Sequence, residues 1–281
     1  MSDITSFSVA MSVYGRDHAD WFDTALDSIV HQSVHPSEII LVEDGPVPQD
    51  IHAVVERYRT LCTQQGIDLV VIPLSENQGF GNALRTAVEH CHNELIARMD
   101  SDDISLPNRF ERQLTFFAQR PDISIVGGNI SEFVDDTTNV IGQRRCPQDD
   151  TDIKQYMRRR CAMNHVTVMF RKSEVLRAGN YQDWFYNEDY YLWIRMMQAG
   201  CSFANLNETL VNVRMNPDSY ARRGGIRYYR SERDLQRYMH HVGIIGFGTM
   251  ASNIALRFII QRLMPNWMRA LVFRKVFRSE Q

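Results

Sequence analysis

The amino-acid sequence predicts an α/β fold with a mostly parallel central sheet flanked by helices. Several apolar, β-rich runs in the first part of the chain are each followed by a segment whose apolar residues recur at helical spacing. Short strands that alternate with helices of about ten to fifteen residues are typical of parallel βαβ units with right-handed crossovers. Ligands of such sheets bind beyond the carboxyl ends of the strands. Polar residues at those ends are therefore the first candidates for function.

The alternation can be followed element by element as far as residue 119. The apolar runs predict strands at 7–13, 38–42, 69–72 and 96–103. The segments that follow them predict helices at 21–32, 51–65, after Gly81 through His92, and at 108–119. Asp20 precedes the first helix as an N-cap candidate, and Gly66 ends the second.

The alternation weakens after residue 119. Strands are predicted at 123–127, 140–144, 166–171, 202–206 and 210–214, and helices at 172–178 and 188–199. We therefore expect one domain over 1–230, divided at about residue 120 into two halves, and a helical extension over 231–281.

Charge is distributed unevenly along the 281 residues, although the formal net charge is only −3. No acidic residue lies between Asp234 and Glu280, whereas that stretch contains many basic ones: Arg237, Arg257, Arg262, Arg269, Arg274, Lys275 and Arg278. A basic extension on an otherwise acidic chain predicts a surface for an anionic partner, either a membrane or a nucleic acid. The acidic body offers no matching groove for a nucleic acid, so we expect an anionic membrane surface. A core or dimer helix is the structural alternative.

The five cysteines are odd in number and include no Cys-x-x-Cys pair, which favours a reducing compartment and argues against a disulfide or zinc framework. The chain starts Met-Ser-Asp and enters a strand directly, so no signal peptide is expected. The longest apolar run, 242–256, is shorter than the roughly 20 residues that a membrane span needs. These observations predict a cytoplasmic protein, peripheral at the inner face of the cytoplasmic membrane.

Three carboxylates follow the apolar run at residues 95–99, namely Asp100, Asp102 and Asp103. Like charges crowded at a strand end cost free energy unless a cation compensates them. Hard divalent cations prefer oxygen ligands and commonly share a site between carboxylates and phosphates. The motif therefore predicts a metal–diphosphate site. Capping of the helix at 108–119, with Asp103 near its start, is the structural alternative. Asp44 also lies at a predicted strand end, which favours the functional interpretation.

Several motifs, in this order and spacing, resemble one family. They are Met11-Ser12-Val13-Tyr14, Leu41-Val42-Glu43-Asp44-Gly45, Asn77-x-Gly79, Arg98-Met99-Asp100-Ser101-Asp102-Asp103 and Asn187-Glu188-Asp189-Tyr190-Tyr191-Leu192-Trp193. Together they resemble the inverting glycosyltransferases of family 2, in particular the bacterial exopolysaccharide and O-antigen enzymes of the amylovoran type. The resemblance implies a GT-A fold with a Rossmann-like sheet, a nucleotide-binding half over about 1–120 and an acceptor half over 121–230.

The resemblance implies a role for each motif of the nucleotide-binding half. Val13 and Tyr14 would contact the nucleotide, and Asp44 would accept a hydrogen bond from the base. Asp102 would coordinate Mn²⁺ or Mg²⁺ directly, with Asp100 as a further metal ligand close to the ribose. A turn-forming role is the alternative for Asp44.

Arg98 would reach the nucleotide, with a structural ion pair as the alternative. Arg222 and Arg223 would bind the diphosphate, with solvated surface charge as the alternative. Members of the family often place a His on a late loop as an extra metal ligand. Asn216 lies near that position here, which leaves the third protein ligand undetermined.

In the acceptor half, the resemblance makes Asp189 the general base and Glu188 its neighbour at the acceptor hydroxyl. The alternative is that these acidic residues stabilise the dipole of the helix at 188–199. His165 is a further polar residue of this half, for which a hydrogen-bonded core position is the simpler interpretation.

The resemblance thus implies transfer of one sugar from a nucleoside diphosphate sugar, expected to be a UDP-sugar, to a glycan or lipid-linked glycan acceptor in exopolysaccharide, O-antigen or lipopolysaccharide synthesis. Two alternatives belong to other classes. A nucleotidyltransferase would need similar metal carboxylates, but normally also a Gly-rich loop after the first strand, which residues 12–16 do not form. A non-catalytic sugar-nucleotide-binding protein would not need Glu188 and Asp189.

Overall fold

The computed structural model describes residues 6–216 and 225–263. Within these residues, nine strands form one sheet, and they are numbered along the chain as β1 (Ser8–Tyr14), β2 (Glu38–Asp44), β3 (Asp68–Pro73), β4 (Leu95–Arg98), β5 (Ile104–Ser105), β6 (Ile125–Val134), β7 (Asp136–Arg144), β8 (Met169–Arg171) and β9 (Phe203–Arg214). Their order in the sheet is β3-β2-β1-β4-β8-β6-β9-β5, and β7 pairs with β6 outside this path. Helices pack on both faces. The predicted α/β fold class is confirmed.

The first half alternates strands and helices as the apolar pattern predicts. Its elements are β1 (Ser8–Tyr14), α1 (Ala19–Val30), β2 (Glu38–Asp44), α2 (Gln49–Gln65), β3 (Asp68–Pro73), α3 (Phe80–His90) and β4 (Leu95–Arg98). β2 continues through Glu43 and Asp44 instead of stopping before them. The capping role predicted for Asp20 is wrong, because α1 begins two residues earlier than predicted, at Ala19, and His18 is its N-cap residue.

The chain leaves the sheet at the carboxylate motif. β4 ends at Arg98, and only the short β5 (Ile104–Ser105) follows before α4 (Arg109–Gln119). The predicted strand at 96–103 is therefore too long, since its last part forms an irregular turn. The alternative of Asp103 as a helix cap is also wrong: the N-cap residue of α4 is Asn108, which makes no side-chain capping bond.

The second half departs further from the prediction. It consists of β6 (Ile125–Val134), β7 (Asp136–Arg144), α5 (Asp150–Met157), a 3₁₀ turn (His165–Thr167), β8 (Met169–Arg171), α6 (Lys172–Arg177), α7 (Glu188–Gln198) and β9 (Phe203–Arg214). The two strands predicted at 202–206 and 210–214 form one continuous strand, β9, with register shifts against β6. Helix α5 was not predicted, and the strand at 166–171 is only three residues long.

The sheet combines two directions. β1, β2, β3 and β4 pair in parallel, as does the long β6–β9 ladder. β8 runs antiparallel to β4 and β6 and so joins the two halves. The expectation of a mostly parallel sheet is confirmed, with antiparallel pairs at β5, β7 and β8.

Two apolar cores lie on opposite faces of the sheet, because side chains alternate along each strand. On β1, Val9 and Met11 pack with α1, α2 and α4, whereas Ala10 belongs to the core on the other face. That second core is formed by α3, α5 and α7 and contains the fully buried Trp193. Burying one large apolar side chain contributes about 1.5–3 kcal/mol. These layers therefore hold the strand ends, and the polar residues on them, in fixed positions.

The described part of the C-terminal extension is helical, as predicted. It contains α8 (Gly225–His241), α9 (Phe247–Phe258) and a π-helical turn (Ile259–Leu263). Among the described residues, none of the helices combines the length and the apolar character needed to cross a bilayer. Arg222, Arg223 and residues 264–281, which include most of the predicted basic tail, lie outside the described residues.

Candidate active site

The carboxylates of Asp100, Asp102 and Asp103 converge just beyond the carboxyl end of β4, each with an oxygen within 4.8 Å of the others. Asp103 is buried and accepts a hydrogen bond from the backbone N–H of Arg214 at 2.8 Å. Burial, reinforced by the neighbouring charges of Asp102 and Asp100, raises the pKa of Asp103 well above its usual value. Three crowded carboxylates of this kind repel one another, and a cation bound between them would relieve that repulsion.

The donor set fits a hard divalent cation, because all three groups offer oxygen atoms and Mn²⁺ and Mg²⁺ prefer such ligands. The predicted ligands Asp100 and Asp102 both belong to the cluster. Asp103 is an additional member that the sequence reasoning treated as a capping candidate. The sequence did indicate this position, because Asp103 is the third carboxylate of the motif.

Arg98 ends β4 and its side chain is 2% exposed. The guanidinium forms an ion pair with Asp100 and lies over the ring of Phe80 at 5.1 Å. Its Nε and Nη1 atoms have no hydrogen-bond partner among the described residues. The ion pair that we considered as an alternative role is present. Two buried donors nevertheless remain for a ligand.

Asp44 ends β2, and both oxygens of its carboxylate accept backbone hydrogen bonds. Gln78 N–H donates to Oδ1 at 2.6 Å and Gly79 N–H donates to Oδ2 at 3.1 Å. These bonds fix the loop that leads into α3. A carboxylate oxygen can accept more than one hydrogen bond, so the base-binding role of Asp44 is compatible with this position and stays a prediction.

The end of β1 lies beside Asp44, because Tyr14 pairs with Asp44 in the β1–β2 register. Val13 is buried, so only its backbone can face a ligand, whereas the Tyr14 side chain is exposed. Asp17, which the sequence analysis did not single out, accepts hydrogen bonds from Ser101 Oγ at 2.7 Å and from Tyr14 N–H at 3.2 Å. It thereby ties the end of β1 to the carboxylate turn.

Glu188 and Asp189 form the first turn of α7, where the helix dipole favours negative charge. Burial, and secondarily the charge of Asp189, raises the pKa of Glu188 to about 8. The Cys161 thiol donates a long hydrogen bond of 3.9 Å to Asp189 Oδ2. The two neighbouring carboxyl groups therefore differ in environment, and Glu188 carries its proton at neutral pH.

The two groups of acidic residues face a common region. The charges of Arg98 and Asp100 both act on the pKa of Glu188. A Cβ atom at Gly81, in the first turn of α3, would lie 3.4 Å from the Glu188 Cβ. The end of β4, the start of α3 and the start of α7 thus lie close to one another, and we call the region between them the cleft.

Aromatic residues form the floor between these groups. His165 accepts from or donates to the Tyr181 hydroxyl at 2.8 Å through Nε2, and its ring contacts Phe80 and Trp193 edge to face. Burial and the nearby Arg98 lower the pKa of His165 well below its usual value. His165 is thus a neutral, hydrogen-bonded residue of the cleft wall, in agreement with the simpler interpretation.

A cavity of about 430 Å³ opens beside the carboxylate cluster and is lined by Trp21, Val134, Asp135, Arg214, Met215 and Asn216. Arg214 connects it to the cluster, because its Nε donates to the Asp102 backbone carbonyl at 3.1 Å. Asn216, considered as a substitute for the late metal ligand, therefore lies on the wall of a cavity that adjoins the cluster.

A GT-A architecture with strand-end carboxylates and a second acidic pair on a helix defines the glycosyltransferase class. Residues 8–179 match the family model described as Glycosyl transferase family 2, and the chain belongs to that family. The resemblance predicted from the sequence motifs is confirmed, and the protein is a glycosyltransferase.

Two relatives match this chain over nearly its full length. The chain is 37% identical to the amylovoran biosynthesis glycosyltransferase AmsE of Erwinia amylovora, over 96% of this chain and 98% of the relative. It is 33% identical to the UDP-Gal:alpha-D-GlcNAc-diphosphoundecaprenol beta-1,3-galactosyltransferase of Escherichia coli, over 99% of each chain.

Among solved structures, the chain resembles a mannosyltransferase from Pyrobaculum calidifontis in complex with GDP-Man and Mn²⁺. The TM-score is 0.62 at 16% identity, over 94% of this chain and 72% of that structure. This similarity concerns the fold.

Proposed function

We propose that the protein transfers a single sugar from a UDP-sugar to a hydroxyl group of a lipid-linked oligosaccharide, with inversion, during synthesis of a cell-surface polysaccharide. The observation that carries this proposal is the proximity of the carboxylate cluster after β4 to the acidic pair on α7, because the charge of Asp100 acts on the Glu188 carboxyl. One side suits a diphosphate with its cation, and the other suits an acceptor hydroxyl. The Escherichia coli relative, whose name specifies UDP-Gal and a diphosphoundecaprenol-linked acceptor, supports the choice of substrates.

On the donor side, Asp102, Asp103 and Asp100 would hold Mn²⁺ or Mg²⁺. When bound, the cation supplies positive charge to the departing diphosphate. The bound Mn²⁺ in the mannosyltransferase structure supports this assignment. Arg98 offers two buried donors to the nucleotide, Asp44 accepts from the base, and Val13 and Tyr14 line the nucleotide from the end of β1. Arg222 and Arg223 remain proposed diphosphate contacts.

On the acceptor side, Asp189 is the general base. It takes the proton of the acceptor hydroxyl while the oxygen forms a bond to the anomeric carbon and the bond to the diphosphate breaks. Glu188 is protonated at neutral pH, so it cannot take that proton and instead donates a hydrogen bond to a substrate oxygen. Attack from the face opposite the leaving diphosphate inverts the anomeric centre. A positioned base contributes about 10²–10⁴ in rate.

The decisive experiment screens UDP- and GDP-sugars for transfer to diphospholipid-linked acceptors, with Mn²⁺, with Mg²⁺ and with EDTA. The anomeric configuration of the product is then read by NMR. We expect transfer from a UDP-sugar, loss of activity with EDTA and an inverted linkage. A product that retains the donor configuration would refute the single-base mechanism. Full activity in EDTA would refute the metal assignment.

A further inference from the structure

Helix α9 directs two polar side chains, Asn253 and Arg257, toward the protein, whereas several of its large apolar side chains are exposed. Asn253 is 6% exposed, and its amide donates to the backbone carbonyl of Arg158 at 2.9 Å and to Gln236 at 2.7 Å. In contrast, Phe247 is 69% exposed and Leu256 53%, and Ile259 in the adjoining π-helical turn is 50% exposed.

The inward side of α9 is fixed by its polar contacts. Arg257 forms an ion pair with Glu232 of α8 and donates to the backbone carbonyl of Arg159 at 2.7 Å. A side chain of this kind is buried only when it is paired. Rotation of α9 to bury Leu256 would therefore expose a satisfied polar network and is not an available alternative. The outward apolar face is specified by the inward polar one.

A contiguous exposed apolar face on a soluble domain marks a contact with a partner or a membrane. Among the described residues, the large hydrophobic side chains that are at least half exposed are Phe247, Leu256 and Ile259, all on α9 or its π-helical continuation, and Phe258 of α9 is 41% exposed. The partner of this face must therefore offer an apolar environment.

Positive charge flanks the same face. Arg158 and Arg159 are exposed, and their backbone carbonyls are the groups that bind Asn253 and Arg257, so the two arginines lie directly beside α9. Arg262 is exposed at the end of the π-helical turn. The sequence contains no acidic residue between Asp234 and Glu280. A second copy of the chain would bring the same positive charges together, whereas an anionic lipid surface would neutralise them.

The position of this surface connects it to the acceptor side of the cleft. The Arg158–Arg159 segment continues to Cys161, whose thiol contacts Asp189. Helix α8 packs against α9, and Ser231 of α8 accepts hydrogen bonds from Asn187, the residue before Glu188, and from Trp184. If this surface bound lipid, the membrane would lie beside Asp189, the proposed base.

We propose that the outward face of α9, formed by Phe247, Leu256, Phe258 and Ile259, docks in the plane of an anionic bilayer and that Arg158 and Arg159 contact its headgroups. The inference deepens the proposed function: the surface holds the cleft next to the membrane that contains the diphospholipid-linked acceptor. An interfacial helix needs an apolar face and flanking basic residues, not the length of a membrane span.

The test uses the full chain and sedimentation with vesicles of phosphatidylcholine alone or mixed with phosphatidylglycerol. We expect the wild type to bind the anionic vesicles, with weaker binding to neutral ones and at high salt. The double variant Phe247→Ser, Leu256→Ser and the double variant Arg158→Gln, Arg159→Gln should each lower the partition coefficient by about tenfold or more. The matched controls are Leu176→Ser, an exposed leucine of α6, and the pair Arg59→Gln, Arg112→Gln on α2 and α4. These should bind as the wild type does.

Two results would overturn the proposal. One is wild-type partition into anionic vesicles that the α9 and arginine variants leave unchanged. The other is sedimentation velocity in which the wild type is a dimer and Phe247→Ser, Leu256→Ser makes it a monomer, because the face would then join two copies. Transfer to a short-chain, water-soluble acceptor should be equal in wild type and variants. If the protein binds vesicles but transfers no sugar, the proposed function is refuted and the proposed docking surface is not.

Discussion

The guanidinium of Arg98 forms an ion pair with the carboxylate of Asp100, two residues further along the chain, and is almost fully buried where it does so. The pair lies close to the acidic residues of α7, because the charges of both Arg98 and Asp100 act on the pKa of Glu188. It compensates one carboxylate of the cluster. The carboxylates of Asp102 and Asp103 also offer oxygen ligands, which a divalent cation would bind.

Removal of the Arg98 charge should destabilise the fold and weaken donor binding. In Arg98→Met, the partly buried Asp100 loses its partner, and a polar group left unpaired in this way costs about 1–3 kcal/mol. Urea unfolding measures the stability, and calorimetry with UDP and Mn²⁺ measures binding. Arg112→Met is the control, since Arg112 forms an exposed pair with Glu208, and such pairs contribute about 0–1 kcal/mol. Equal effects of the two substitutions would contradict the role of Arg98.

Replacement of the proposed base should separate chemistry from binding. Asp189→Asn keeps the shape of the side chain but cannot accept the proton, so turnover should fall by about 10²–10⁴. The dissociation constant for the UDP-sugar should stay within about twofold of the wild-type value, because the proposed mechanism places Asp189 at the acceptor and not at the donor. Asp183→Asn, an exposed residue shortly before α7, should have neither effect. Near-normal turnover of Asp189→Asn would show that another group is the base.

The carboxylate cluster should be required for metal-dependent donor binding. Asp102→Asn and Asp103→Asn each remove one anionic ligand, and we expect the enhancement of UDP binding by Mn²⁺ to be lost. In the metal-free protein, Asp103→Asn should cost little stability. The substitution removes a buried carboxyl whose charge is opposed by burial and by the neighbouring charges of Asp102 and Asp100. A manganese titration followed by calorimetry measures the first effect and urea unfolding the second. Asp122→Asn, on the exposed turn before β6, is the control, and Mn²⁺-enhanced binding in Asp102→Asn would disprove the site.

The buried carboxyl of Glu188 should make stability depend on pH. Its pKa is raised from 4.5 to about 8, so the unfolded chain releases the proton at lower pH than the folded one does. The stabilisation is complete below about pH 4.5 and is lost as the pH rises to about 8. Relative to Glu188→Gln, the wild type should therefore lose at least about 1.4 kcal/mol between pH 5 and pH 8, the value of one pKa unit.

Urea unfolding in EDTA at the two pH values measures this difference. The exposed Glu56→Gln on α2 should follow the wild-type profile. A constant difference between wild type and Glu188→Gln would mean that the carboxyl titrates as it does in water.

The strands and helices that could be predicted are those whose own residues show a regular pattern of apolar side chains. The strands and helices of the first half follow from apolar periodicity, because each βαβ unit buries its own apolar face. The second half was predicted less well. Helix α5 has a weakly apolar sequence, with Ile153 and Met157 as its buried residues. The middle of β9 contains Asn205, Asn207 and Glu208, which predict a break in the strand, and the structure instead carries the strand through a register shift against β6 at this point.

The sequence by itself determined the α/β class, the family motifs and the acidic residues that we propose for the chemistry, because these depend on residue type and spacing along the chain. Only the tertiary structure decided that Asp103 joins the cluster instead of capping α4, that Asp17 ties β1 to that turn, and that α9 exposes its apolar residues. Each of these depends on which distant groups fill the space around a side chain. For α9, the backbone carbonyls of Arg158 and Arg159 take up Asn253 and Arg257 and so turn the leucine and phenylalanines outward.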